Sequence, residues 1–541
     1  HAGVQPYYYA GPGTLFWLDA SSAATYGRLW IDGGKDVNGN EQVGPVTTLP
    51  ALGSGSIAAW TAAGANALMA ATTALPQPWL GAWVAVLNAG GSIFGEFQVL
   101  QIDSQGRLLL SGAGAVTGAA SYQGEYRFDR IDVQDSAGLS AADTIKTADF
   151  EVSGAAPRVP AQFTAGSMTV KSGAVATPVG GVLRATVTGQ LNVQAGARID
   201  LTAAGYAGAS GTTNYLPGAA PAGVTPAGAN AGGSHGGASF VWGGFSGQPG
   251  ATFDSVYVPQ QGGGGGSSLY WGSGRRGGNG GGIVDLTLGS LQLDGAIWAK
   301  GESRPQPANG EASGAGGTVI LHVGGAVAGA GTIDASGGLY DATNYSSSPG
   351  AGGRVAIYAG SFQGFSPATQ AKAQGGQLLH ASAPPYSYAG PGTVFWLDAS
   401  SATYGRLLVD SGLGAAYSHT LPITLLPGIG AATVGTATPD SVVPANLWIK
   451  ASSGVAFQLG LAGMWVRDNG VDYPVLAQSA DLKSLELGGA AASVNSGDSI
   501  LGIYKFDEAD VRGAARLQFN DVNVVGTFSI DSNSAVIQNH P

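Results

Sequence analysis

Residues 316–338 read GGTVILHVGGAVAGAGTIDASGG. A glycine pair opens the stretch, alternating apolar side chains follow, and a Gly-Ala turn leads into a second short apolar element. Alternation with period two marks a strand with one face buried. The same plan returns as GGIVDLTLGSLQLDGAIWAKG at 281–301, GGRVAIYAGSFQGF at 352–365 and GPGTVFWLDASSATYGRLLVDSG at 390–412. Two residues after the last opening glycine stand Val284, Val319, Val355 and Val394; two further on stand Leu286, Leu321, Ile357 and Trp396. Such equivalence predicts like residues stacked on like, at the roughly 4.8 Å spacing of neighbouring strands. The opening glycines are assigned to corners with φ > 0 or to close backbone approach.

Upstream, the motif recurs as IDV (131–133), FEVSGA (150–155), MTVKSGAV (168–175) and LNVQAGARI (191–199). Aligned on Val133, Val152, Val170 and Val193, the spacings are 19, 18 and 23 residues. That is the length of one coil of a parallel β-helix. No sustained 3.6-residue apolar period occurs, so helix content should be low. The expected fold class is all-β: a parallel β-helix (β-solenoid) with inserted small antiparallel β-barrel or sandwich domains and long Gly-rich loops.

The two ends of the chain match. PYYYAGPGTLFWLDASSAATYGRLWIDG (6–33) recurs as PYSYAGPGTVFWLDASSATYGRLLVDSG (385–412), and GEYRFDRIDV (124–133) as GIYKFDEADV (502–511). Phe128 to Phe506 and Phe150 to Phe528 both span 378 positions. The chain reads A–B–A′, with A about 1–160, B about 161–379 and A′ about 380–541. In finer divisions, 1–49 is the final coil of a β-helix and 50–120 an inserted small β-domain. Residues 121–412 form a β-helix carrying a Gly-rich loop at 206–280. Residues 413–495 are a second inserted domain, and 496–541 begin the next β-helix repeat. The inserts are read from alternating runs such as LGAWVAVL (80–87) and AGMWVRD (462–468). The aromatics of the 206–280 loop, Tyr257 among them, argue for a lobe packed on the solenoid face.

Composition narrows the function. The chain has 541 residues, 92 of them glycine; 44% are hydrophobic, so burial is available, and only 11% are charged. A net charge of −11 leaves no basic stripe for nucleic acid. The chain has no cysteine, which excludes a disulfide scaffold and a thiolate metal site and fits a bacterial secreted protein. No apolar run is long enough to span a membrane. The start at His1, without Met, reads as a piece of a larger or processed protein.

Chemistry is sparse. DVNGNE supplies Asp36, Asn38, Asn40 and Glu41, oxygen ligands around a glycine, a spacing that suits calcium; the alternative is a polar turn. DNGVD (Asp468–Asp472) is a second such stretch. Otherwise no cofactor is expected. The acids of B (Asp200, Asp285, Asp294, Glu302, Asp334) form no spaced catalytic pair, so the chain is read as no enzyme. His235 and His322 are read as lone surface or corner histidines. Exposed aromatics are the ligand candidates: Tyr7, Tyr9, Tyr386, Tyr388, Tyr270 and Trp271, whose rings can stack on sugars or anchor a neighbouring subunit.

These segments, with GGSHGGASF (232–240) and GAGGRVAIYA (350–359), resemble the glycine-rich repeat modules of very large bacterial surface proteins, adhesin-like or fibre proteins, some carrying RHS-type regions. The resemblance covers nearly the whole chain. It implies export to the cell surface or exterior and repetitive assembly, and carries no catalytic residues over. The expected function is a structural or adhesive segment of an extracellular fibre, partnered by copies of itself. A glycan-binding surface module and, less favoured, a polysaccharide-degrading β-helix enzyme are the alternatives.

Overall fold

The structure is a computed structural model that describes residues 13–18, 25–34, 44–76, 79–211, 216–241, 247–268, 276–304, 311–341, 348–379, 388–414, 417, 420–491 and 493–539. It is all-β, with 49% of residues in strands and 2% helical. Two units divide the chain: residues 1–199 with 287–289, and residues 200–286 with 290–541.

Unit 1 contains β1 (Leu15–Trp17), β2 (Arg28–Asp32), β3 (Ser54–Ala63), β4 (Asn66–Ala71), β5 (Trp83–Leu87), β6 (Ile93–Ile102), β7 (Leu108–Leu110), β8 (Ser121–Gln134), β9 (Thr144–Val152), β10 (Gln162–Val170) and β11 (Val182–Val193). Strands β2, β8, β9, β10 and β11 form a parallel ladder. Its register pairs Val133 with Val152, Val152 with Val170, and Val170 with Val193, as the sequence spacing predicts. All four valines are fully buried. Parallel neighbours bring identical side chains face to face, and burying each aliphatic side chain contributes about 1.5–3 kcal/mol. A second parallel row runs through Arg158–Val159, Val175–Pro178 and Arg198–Asp200. Strands β3 to β7 are antiparallel hairpins joined to the first half of β8. They enclose their own core of Leu52, Met69, Val84, Val86, Val99, Leu108, Leu110 and Tyr122.

Unit 2 contains β12 (Thr318–Ala328), β13 (Arg354–Gln363), β14 (Thr393–Asp398), β15 (Arg406–Asp410), β16 (Ala431–Pro439), β17 (Leu447–Ala451), β18 (Trp465–Asp468), β19 (Val471–Gln478), β20 (Ser484–Leu487), β21 (Ser499–Arg512) and β22 (Val522–Ile530). Val319, Val355 and Val394 stack in one row, and Leu321, Ile357 and Trp396 in the next, along parallel β12, β13 and β14. Strand β14 turns antiparallel into β15, and β15, β21 and β22 continue in parallel. Strands β16 to β20 repeat the antiparallel hairpins of unit 1.

The described parts of the Gly-rich stretch are tied together through their own backbone. From Gly263 to Ser268 each backbone N–H donates to a different neighbour, and the neighbours return every third residue. Gly263 and Gly266 donate to Gly281 and Gly278, Gly264 and Ser267 to Ser234 and Ala231, and Gly265 and Ser268 to Ala219 and Leu216. From Ala312 to Gly317 the rule repeats: 312 and 315 donate to Ser267 and Gly264, 313 and 316 to Ser348 and Ala351, 314 and 317 to Glu302 and Ala299. A return every third residue is a rotation of about 120° per residue, that of a polyproline II helix. Such helices normally leave their backbone to water; here they bond one another in three directions.

The reason for glycine is space. A Cβ on Gly314 would lie 1.9 Å from the Asn279 carbonyl oxygen, and one on Gly350 1.8 Å from that of Gly314. The opening glycines 281, 316, 317, 352, 353 and 392 also lie outside the left-handed region and press on backbone oxygens. Of the two uses expected for them, φ > 0 corners or close backbone approach, it is close backbone approach that they serve.

A tyrosine knob and an aromatic groove

The two units build the same cradle from matching residues. In unit 1 the N–H groups of Thr25, Tyr26 and Gly27 all donate to one Asp129 carboxylate oxygen, at 2.9, 2.8 and 2.7 Å. In unit 2 Thr403, Tyr404 and Gly405 do the same with Asp507, at 2.9, 2.8 and 2.9 Å. Charge-assisted bonds of this kind hold the tyrosine where it meets a tryptophan edge-on. Tyr26 lies 5.3 Å from Trp83, and Tyr404 6.1 Å from Trp465. A cation covers each pair: Arg127 is 4.9 Å over Trp83, and Lys505 4.0 Å over Trp465. Arg127 is ion-paired with Glu96, and Lys505 with Asp472. Deeper in, the hydroxyls of Tyr126 and Tyr504 donate to the carbonyls of Pro50 and Pro427. Each ring stacks on a phenylalanine 6.0 Å away, Phe128 in unit 1 and Phe506 in unit 2.

What lies over these rings differs. In unit 2 the slot holds Tyr257, stacked 5.9 Å from Tyr504 and 5.4 Å from Phe506, with its edge 5.0 Å from Phe395. Its hydroxyl donates to the Lys505 carbonyl at 2.9 Å and accepts the Lys505 N–H at 3.0 Å. Burial pushes this phenol well above its ordinary pKa, so it stays a neutral donor. Tyr257 crowns a tight loop. One Asp254 oxygen accepts the N–H groups of Ser255 and Gln260, and the other those of Gln260 and Gln261. The Ser255 hydroxyl accepts from Tyr257 and Val258 and donates to Ala462. Below, fully buried Arg354 donates to the Phe253 carbonyl and to Thr393. The knob is thus pre-shaped, and Gly263 ties its end into the glycine bundle.

In unit 1 the slot is a groove of about 430 Å³, lined by Phe16, Leu18, Tyr26, Trp79, Trp83 and Phe128 among others. Trp79 stacks 5.0 Å from Tyr126. Its counterpart in unit 2 is Leu461: the turns Trp79–Ala82 and Leu461–Met464 close with the same N–H to carbonyl bond. Among the described residues no ring takes the place of Tyr257 over Phe128. Phe16 is accordingly 53% exposed, where Phe395 is 2% exposed.

Tyr7, Tyr9, Tyr270, Trp271 and Tyr386, and the calcium candidates Asp36, Asn38, Asn40 and Glu41, lie outside the described residues. Tyr388 is described: half-buried, it meets Tyr417 edge-on at 5.4 Å, and burial raises its pKa. In DNGVD the Asp472 oxygens are bound by Arg467 and Lys505. His235 is corrected from a surface or corner residue. It is fully buried, with Nδ1 2.8 Å from the Gly316 carbonyl and Nε2 3.3 Å from Asp254. Among the described residues no three His, Asp or Glu side chains gather as a metal site, and no helix is long and apolar enough to cross a membrane. The groove residues went unnamed in the sequence, yet the pairs Tyr26/Tyr404, Tyr126/Tyr504, Phe128/Phe506 and Asp129/Asp507 carry the signal. Comparison of the chain with family models, curated proteins and solved structures returned no match.

Proposed function

We propose that this chain is a structural and adhesive repeat segment of a bacterial extracellular or cell-surface fibre, folded as a β-helix and without catalytic work of its own. The observation that supports this most is repetition within the fold. Val133, Val152, Val170 and Val193 stack in one parallel ladder, Val319, Val355 and Val394 in another, and the tyrosine cradle is built twice from matching residues. Stacked like units lengthen along one axis, which builds a rod and its surface rather than a single catalytic pocket.

Electron microscopy of the concentrated protein tests this. Periodic fibres of uniform width are expected. Single dispersed particles at all concentrations would end the reading. A glycan-binding role is the second reading, favoured by the indoles of Trp79 and Trp83 beside a groove; a glycan array tests it.

A further inference from the structure

We propose that the open groove of unit 1 is the socket for a tyrosine knob presented by another repeat of this kind: a short loop of the Asp-Ser-x-Tyr type that makes there the contacts Tyr257 makes within unit 2. The inference rests on the repeat reading above and adds the occupant.

Each aromatic ring that Tyr257 packs against in unit 2 has its counterpart in unit 1. Tyr504, Phe506 and Phe395 correspond to Tyr126, Phe128 and Phe16. The Tyr257 hydroxyl bridges the N–H and carbonyl of Lys505, whose position in unit 1 is Arg127. These backbone groups lie between the end of one strand pairing and the start of the next in both units. In unit 2, β21 pairs with β18 up to Ile503 and with β15 from Glu508. In unit 1, β8 pairs with β5 up to Glu125 and with β2 from Arg130. The gap is built the same way twice; in unit 2 a phenol fills it.

The groove also suits this chemistry. Its floor is aromatic, which rewards a flat ring, and its exposed Phe16 and Leu18 form an apolar rim that water covers at a cost. Trp79 stacks on Tyr126, the ring whose counterpart Tyr504 carries Tyr257 in unit 2. A tyrosine entering the groove changes the surroundings of that indole, so binding reports itself in Trp79.

The test uses the full chain and a cyclised peptide of residues 251–261, ATFDSVYVPQQ, with a Tyr→Ala peptide as control. Calorimetry should give one peptide bound per chain and none of the control. Tryptophan fluorescence should change on binding, and the change should vanish in Trp79→Phe. Phe16→Ala, at a residue half exposed and so not needed for folding, should weaken binding about tenfold or more, which is 1.4 kcal/mol. No binding of the peptide, or binding that Phe16→Ala leaves unchanged, overturns the proposal. So does binding that appears only after residues 1–12 are removed, which would give the groove to the chain's own first residues. Capture of an oligosaccharide in the groove, with the peptide unable to compete, would overturn it in favour of the sugar reading. Fibres that form normally with Phe16→Ala sink this inference and leave the fibre reading standing.

Discussion

The cradle of unit 1 and that of unit 2 are the same object in two states of completion. Both hold a tyrosine by three N–H groups on one aspartate, both set that ring against a tryptophan, and both cover the pair with a cation. Among the described residues, only unit 2 has a second element, the Asp254-closed loop, driving a phenol onto the stacked rings. The comparison teaches that the aromatic surface does not fold shut on itself. It is finished by a segment distant in sequence, and that segment is held by the glycine bundle rather than by its own strands.

The hardest blow to the comparison should come from the bundle. Gly314→Val places a Cβ within 1.9 Å of the Asn279 oxygen, backbone against backbone, with no flexible side chain to yield. The cost should exceed the roughly 3 kcal/mol of ordinary overpacking. Hydrogen exchange should show β21 losing protection while β8 of unit 1 keeps it. Next comes Tyr257→Ala, which empties the slot in unit 2. By the usual cost of deleting a buried aromatic ring, about 3–5 kcal/mol should be lost in denaturant unfolding of unit 2. A loss near zero would mean that the knob is a passenger.

Tyr257→Phe sharpens the picture. The ring stays, but the Lys505 N–H loses the hydroxyl it donates to. A buried unsatisfied donor costs about 1–3 kcal/mol, so this variant should fall between wild type and Tyr257→Ala. The smallest effect concerns pH. The Arg467 hydrogen bond, with Lys505 behind it, holds Asp472 below its ordinary 3.8. A carboxyl depressed in the folded state binds fewer protons there than when unfolded, so its stabilisation is complete above about pH 5 and drains away as pH falls below 3.8. Asp472→Asn should flatten the stability profile of unit 2 in that acid range, read by urea midpoints at pH 3 and pH 6.

Much of this was legible in the residues. The valine spacings gave the ladder register of unit 1, and the Gly-Gly-x-Val repeats gave that of unit 2, because a parallel ladder stacks identical positions. The A and A′ match placed the paired cradles in outline. The bundle was not legible: period-three bonding leaves no apolar pattern, since the residues that make it have no side chains to alternate. The sequence left those glycines between left-handed corners and close backbone approach, because both uses need the missing Cβ. Tyr257 was visible only as one aromatic of the loop, and His235 as one lone histidine; the partners of each lie far away in sequence.

By itself, then, the sequence determined the register of the valine ladders and that the plan is written twice, because these depend on side-chain alternation along short stretches. Only the tertiary structure decided that glycines pack backbone to backbone and that one aromatic slot holds a tyrosine while its twin, among the described residues, does not. Both outcomes depend on where remote segments meet in space, and no local pattern of residues encodes that meeting.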